Sequence, residues 1–174
     1  LTVFLVVGSV LGVEIPVPSA DFDDHALSNQ GDYVYIGDPG YTGAWKNEMG
    51  PEGAYVDYRY WLSDGDLPAR SGEYKVYPSD AELFDYIYQI LDETFIAGAT
   101  YTLSVWVGNA WPDQGYADGW GLYFTGEDYA VNLAEAHGLA LDGDWEQISL
   151  AYTATAADAG KKIGIKLSGE EGES

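Results

Sequence analysis

Carboxylates dominate the chemistry this chain can offer. Its 174 residues hold 29 acidic and 7 basic side chains, a formal net charge of −22. Acid side chains at that density repel one another, and a hard divalent cation such as Ca2+ held by several of them relieves the repulsion. Asp113 and Asp118 share one loop-like stretch, Asp142 and Asp144 another, and Asp21, Asp23 and Asp24 crowd into the acidic turn SADFDD at 19–24. None follows the twelve-residue EF-hand pattern. The competing reading of each is a solvated acidic surface. Paired carboxylates about 5–10 Å apart also serve glycoside hydrolysis, and Glu48 with Glu52 or Asp57 with Glu73 are pairs of that type. With 29 acids such pairs arise by chance, so they say little.

Composition removes most other chemistry. Cysteine is absent, which excludes disulfides, thiolate nucleophiles and Cys-based zinc sites. His25 and His137 are the only histidines, too few for a His-rich metal centre. His25, beside Asp23 and Asp24, reads as an exposed turn residue. There is no phosphate-binding glycine loop and no HExxH motif. Nucleic acid and anionic lipid both require clustered Lys and Arg. The expectation is a non-enzymatic protein with no nucleic-acid partner and, in its mature form, no membrane partner.

Fifteen Tyr, six Trp and five Phe supply flat apolar faces on which a sugar ring could stack. Trp111, Tyr116 and Trp120 gather in or beside the loop at 108–119 and are the leading glycan candidates, with Trp45 and Trp61 as further ones. Trp106 and Trp145 lie on expected strands and read as core. For any single Trp the competing role is packing or an interface anchor.

The elements that must position these groups are strands. Alternating or β-branched runs occur at 13–17 (VEIPV), 32–36 (DYVYI), 54–62 (AYVDYRYWL), 74–77, 86–91 (YIYQIL), 100–107 (TYTLSVWV), 121–125, 130–133, 146–153 and 161–167. Ala97-Gly98 marks the turn between the two best of them. Only 80–84 and 130–137 read as short helical windows. About ten strands at roughly 8–12-residue spacing predict an all-β jelly-roll β-sandwich.

Residues 1–13 (LTVFLVVGSVLGV) are apolar throughout. They fall short of the about 20 residues a bilayer span requires. Val3, Phe4, Leu5, Val6, Val7, Val10 and Leu11 suit a strand covered on both faces. Such a strand packs in its own domain, or completes the sheet of a neighbouring copy by β-augmentation. Head-to-tail donation of that kind builds filaments or tubes. The expected division is an apolar strand at 1–12, a sandwich at 13–169 and an acidic tail at 170–174.

Longer motifs carry a resemblance. Tyr88-Gln89-Ile90-Leu91, then Phe95-Ile96-Ala97-Gly98-Ala99-Thr100-Tyr101-Thr102-Leu103-Ser104-Val105-Trp106-Val107-Gly108-Asn109, forms one block. Asp144-Trp145-Glu146 and Tyr152-Thr153-Ala154 to Asp158-Ala159-Gly160-Lys161 form another. With Ile15-Pro16 to Asp21-Phe22-Asp23 and Pro39-Gly40-Tyr41, they resemble extracellular jelly-roll proteins of the PEP-CTERM-associated type, akin to carbohydrate-binding modules, over roughly 13–168. The resemblance implies a sandwich fold, an extracellular or cell-surface location and a structural calcium at Asp23, with Asp21 and Asp24 beside it. It carries no ligand. The leading expectation is therefore an exported homopolymer joined by donor strands and assisted by calcium. The second is a monomeric module that binds a polysaccharide.

Overall fold

The computed structural model describes residues 3–8, 13–20, 33–47, 54–58, 74–78, 86–108, 119–140 and 143–170. They form β1 (Val3–Gly8), β2 (Val13–Ile15), β3 (Tyr33–Tyr35), β4 (Lys46–Asn47), β5 (Ala54–Tyr58), β6 (Tyr74–Pro78), β7 (Tyr86–Thr94), β8 (Thr100–Val107), β9 (Gly119–Thr125), β10 (Asn132–Leu139), β11 (Glu146–Thr153) and β12 (Lys162–Glu170). Among the described residues there is no helix. Three sheets result, in the orders β11-β8-β1-β2, β10-β9-β12-β7-β4 and β3-β5-β6, and all pairs are antiparallel. The architecture is the expected all-β sandwich.

Period-2 alternation builds the core. In β8, Tyr101, Leu103, Val105 and Val107 are buried, and the residues between them are half-buried. Ile148 and Leu150 of β11 continue that face. From the five-stranded sheet come Ile87, Leu91, Leu122, Phe124, Ile163, Ile165 and Leu167, and all belong to the same apolar cluster. Phe95, at the end of β7, meets Tyr101 edge-on at 5.1 Å between ring centroids, a favourable aromatic geometry. The Ala97-Gly98 turn forms as expected. Gly98 takes φ +79°, a conformation that costs a residue without Cβ little, and its N–H donates to Ala154 O at 2.8 Å. That bond ties the β7–β8 turn to the end of β11.

Several elements differ from the sequence expectation. Of the two readings of this stretch, a short helical window at 130–137 and a hairpin of 130–133 with 121–125, the structure takes the hairpin: β10 pairs with β9 from Asn132 to Leu139 across a bulge. A short window cannot nucleate a helix unaided, whereas a neighbouring strand supplies a hydrogen-bond partner for its backbone. The other helical window, 80–84, lies outside the described residues. Trp45 is no exposed platform. It is buried in the core, and its Nε1 donates to Ser19 O at 3.0 Å. Ser19 holds an unusual φ of +53° and accepts the Ala44 N–H on its Oγ at 2.9 Å. Trp106, expected in the core, sits on the half-buried side of β8 beside Gln147.

The N-terminal strand corrects the donor-strand reading. β1 pairs with β8 from Val3↔Val105 to Gly8↔Thr100 on one edge, and with β2 from Leu5↔Ile15 to Val7↔Val13 on the other. Val3, Phe4, Leu5, Val6 and Val7 thus sit inside the sheet of their own chain. Both hydrogen-bonding edges are used there, and a strand so paired has no edge to give a second copy. Val10 and Leu11 lie outside the described residues.

Candidate functional site

β12 runs between β9 and β7, so its alternate residues face opposite sides of the five-stranded sheet. Ile163, Ile165 and Leu167 enter the core. Gly164, Lys166 and Ser168 face away from it. Register then decides their neighbours. Lys166 lies opposite Tyr88 on β7 and Tyr123 on β9, while Ser168 lies opposite Tyr86 and Gly121. One strand further out, β10 sets Glu135 beside Tyr123 and His137 beside Gly121. The β9–β10 turn, closed by Val131 N–H to Asp128 O, brings Tyr129 over the same face.

The result is an aromatic surface around the buried Lys166, with Lys46 of β4 opposite Tyr88 at its edge. Lys166 Nζ is 4.4 Å from the Tyr123 ring centroid and 5.1 Å from that of Tyr86, within the reach of a cation–π contact. Tyr129 stacks on Tyr88 at 4.3 Å with the planes 26° apart. Tyr86 lies 6.3 Å from Tyr88. His137 meets Tyr123 edge-on at 5.3 Å, and the Tyr123 hydroxyl is 3.2 Å from Ser168 Oγ. Gly164 keeps the strands close beside this group. A Cβ there would collide with Thr125 Oγ1 and Gly126 O.

Lys166 is only 9% exposed. Burial pushes its pKa below the ordinary lysine value, and the negative charge of Glu135 opposes that shift. Among the described residues no carboxylate lies within ion-pair distance of its ammonium. Tyrosine rings, phenolic and seryl hydroxyls and a desolvated ammonium can stack a planar apolar molecule and orient it by hydrogen bonds and charge.

A second polar cluster has a different character. Asp158 is buried, and its Oδ2 accepts from the Tyr152 hydroxyl at 2.6 Å, from Thr155 N at 3.0 Å and from Thr155 Oγ1. Lys161 Nζ stands 3.6 Å from its Oδ1. The Thr155 and Tyr152 hydrogen bonds hold the Asp158 carboxyl down at about 2. Burial first, and then Asp158 itself, push Tyr152 up to about 12. The donors come from within the β11–β12 connection and the end of β11, so this carboxylate closes a turn and is no free acid.

The remaining sequence candidates fall in various places. Asp21, Asp23, Asp24, Asp113, Asp118, Asp142, His25, Trp61, Trp111 and Tyr116 lie outside the described residues. Trp120 is on β9, packed against the core. Its Nε1 donates to Leu139 O at 3.1 Å, and its ring covers Gly138, where a Cβ would come within 2.6 Å of it. Asp144 is exposed and accepts from Trp145 N at 2.8 Å. Among the described residues no group of three or more His, Cys, Asp or Glu could hold a metal ion. Sequence reasoning passes over Tyr86, Tyr88, Tyr123, Tyr129 and Lys166. The usable signals are two tyrosines two apart in YIYQIL and a lone lysine in the apolar run GIKL.

The comparisons with known proteins bear on this face. The sequence model of the HpiC1-like family, described as HpiC1 cyclase, matches residues 8–173. No curated protein matches the chain in sequence. Among solved structures, a Stig cyclase, Fisc, from Fischerella sp. TAU in complex with (3Z)-3-(1-methyl-2-pyrrolidinylidene)-3H-indole is 21% identical, with a TM-score of 0.70 over 91% of this chain and 88% of that one. A cyclase from the same organism in complex with 4-(1H-indol-3-yl)butan-2-one is 20% identical, with a TM-score of 0.68 over 91% and 88%. Another cyclase from Fischerella sp. TAU is 22% identical, with a TM-score of 0.69 over 89% and 86%. At these identities the structural likeness is one of fold. The family match overturns four expectations: the PEP-CTERM and carbohydrate-module resemblance, the non-enzymatic character, the self-assembling filament and the polysaccharide partner. Shared sandwich strands and turns explain the first error, because those motifs encode the fold and not the site. This chain belongs to the HpiC1-like cyclase family.

Proposed function

We propose that the protein is a cyclase that closes a ring on an indole-bearing small molecule held on the tyrosine face of the five-stranded sheet. One observation carries this reading: the family match extends over residues 8–173 and so includes every strand of that face. Two cyclases of the same fold are described in complex with indole compounds. The stacked pair Tyr88–Tyr129 and the ring of Tyr86 offer aromatic area on the scale of an indole. Ring closure in such a site rests on holding a flexible chain near its attack geometry and excluding water from it. The test is incubation with 3-alkenyl-indole substrates and analysis of products by mass spectrometry and NMR. An isomer with one more ring, formed by the native protein and lost in Tyr88→Ala, supports the reading. Unchanged substrate, together with no binding of 4-(1H-indol-3-yl)butan-2-one in calorimetry, would defeat it.

Calcium belongs to the same proposal as a structural ion at Asp21, Asp23 and Asp24, with Asp113 and Asp118 as a second set. Support comes from the −22 charge and the spacing of those acids. Added Ca2+ should raise Tm by several degrees and EGTA should reverse the rise; a Tm indifferent to both removes the ion. An extracellular or cell-surface location is proposed on the acidic, aromatic, turn-rich composition, and cell fractionation tests it.

A further inference from the structure

We infer that the tyrosine face takes an aromatic small molecule bearing an anionic group, a carboxylate above all, with Lys166 as its counter-ion. The inference rests on the reading of this face as the ligand site and deepens it by naming the charge of the ligand.

Lys161 stands beside Asp158 at 3.6 Å, and Lys162 pairs with Asp92 at 3.0 Å. Both are on the surface, in a chain where acids outnumber bases by 29 to 7. Lys166 differs in burial and in company. It is more than nine-tenths buried, and among the described residues no carboxylate pairs with its ammonium. Its contacts are the faces of Tyr86 and Tyr123. Burying an ammonium is costly unless a counter-charge or acceptors replace its water. Ring faces return part of that cost. Glu135 attracts it from the neighbouring β10 position without forming an ion pair.

An anionic group placed against Nζ would complete the neutralisation. The Tyr123 and Ser168 hydroxyls, hydrogen-bonded to one another at 3.2 Å, lie on the same face and add polar character beside the ammonium. A ligand with a cationic nitrogen at that point would meet like charge in a desolvated setting, so the site discriminates against it. The ring of the ligand has the Tyr86, Tyr88 and Tyr129 surface to stack on. The recognition pattern is therefore a planar aromatic body with a carboxylate on a short arm.

The experiment is calorimetry on the full chain in 0.15 M salt, where long-range repulsion from the net charge is screened. Four probes are compared: indole-3-propionate, its primary amide, 3-phenylpropionate and its primary amide. Each acid should bind at least tenfold tighter than its own amide. Lys166→Met and Lys166→Gln should bring acid and amide within twofold, and Lys166→Arg should keep the preference. Circular dichroism and Tm confirm that each variant is folded. If a variant fails to fold, the acid-to-amide ratio of the native protein still decides. Indole probes that bind with no preference for the acid overturn this inference and leave the cyclase reading standing. Acids favoured equally on phenyl and indole uphold the inference and count against an indole substrate. Failure of all four probes to bind, or an acid preference that survives Lys166→Met, overturns it.

Discussion

β12 presents two faces to two different environments, although one backbone carries both. Ile163, Ile165 and Leu167 are buried in the apolar cluster between the sheets. Lys166, one residue along from Ile165, is buried as well, but beneath tyrosine rings and beside hydroxyls. The degree of burial is similar and the chemistry is opposite. On the inner face, burial is its own stabilisation, because apolar area leaves water. On the outer face, burial of an ammonium works against stability and has to be balanced by ring faces, hydroxyls or a ligand. Equal solvent exposure therefore covers an apolar core on one side of the sheet and a polar, aromatic environment around an ammonium on the other.

The sharpest way to break this comparison is to attack the inner face. Phe124 is fully buried and packs near Phe95 and Tyr152, with centroids 6.5 and 5.9 Å away. Phe124→Ala should cost about 3–5 kcal/mol in urea denaturation. A loss below about 1 kcal/mol would show that the inner face is not the core described.

Asp158→Asn comes next. The native carboxyl sits at about 2 against an ordinary 3.8, so its ionised form stabilises the fold. That contribution is complete above the ordinary value and fades as pH falls from about 4 through 2. The difference corresponds to on the order of 2 kcal/mol at neutral pH. The variant should lose that amount, and its stability should vary less than the native protein's between pH 4 and pH 2. Tyr152 acts at the other extreme. Its raised value of about 12 favours the neutral phenol, so stability present below about pH 10 declines as pH rises through 12. A native stability curve flat across both windows would remove the turn cluster from the account.

Gly164→Ala tests the rim of the outer face. Its methyl group would meet Thr125 Oγ1 and the backbone oxygen of Gly126, and backbone gives way poorly. A loss of about 1–3 kcal/mol is expected, with a change in the amide NMR shifts of Thr125 and Gly126. The smallest effect on stability belongs to Lys166→Met. Loss of cation–π contact and relief of a buried charge oppose one another, so unfolding free energy should move by less than about 1 kcal/mol. A large destabilisation there would make Lys166 a structural residue and merge the two faces into one kind of burial.

Much of the sandwich is legible in the amino-acid sequence. Strands β8 and β11 occupy the residues that alternation indicates, and the Ala97-Gly98 turn lies where expected. Those features are local: side-chain period, β-branching and a glycine able to take positive φ. β10 is legible in part: 130–133 reads as the partner strand of 121–125, but NLAEAHGL lacks strong strand formers and also suits a short helix, and its full length as a strand comes from pairing with β9. Trp45 misleads for a related reason. Its burial comes from packing beside the 18–20 turn, a contact between residues distant in sequence. The candidate site is the least legible part. Tyr86 and Tyr88, Tyr123, Tyr129 and Lys166 are spread over some eighty positions, and only adjacency in the sheet makes them neighbours.

Composition and alternation alone determined an acidic, cysteine-free, all-β chain, because charge and period-2 patterning need no knowledge of neighbours. Tertiary structure decided two further matters: that β1 completes the sheet of its own chain, and that the buried Lys166 lies among tyrosines from three separate segments. Both depend on strand order and register, which arise from long-range pairing and are written in no local run of residues.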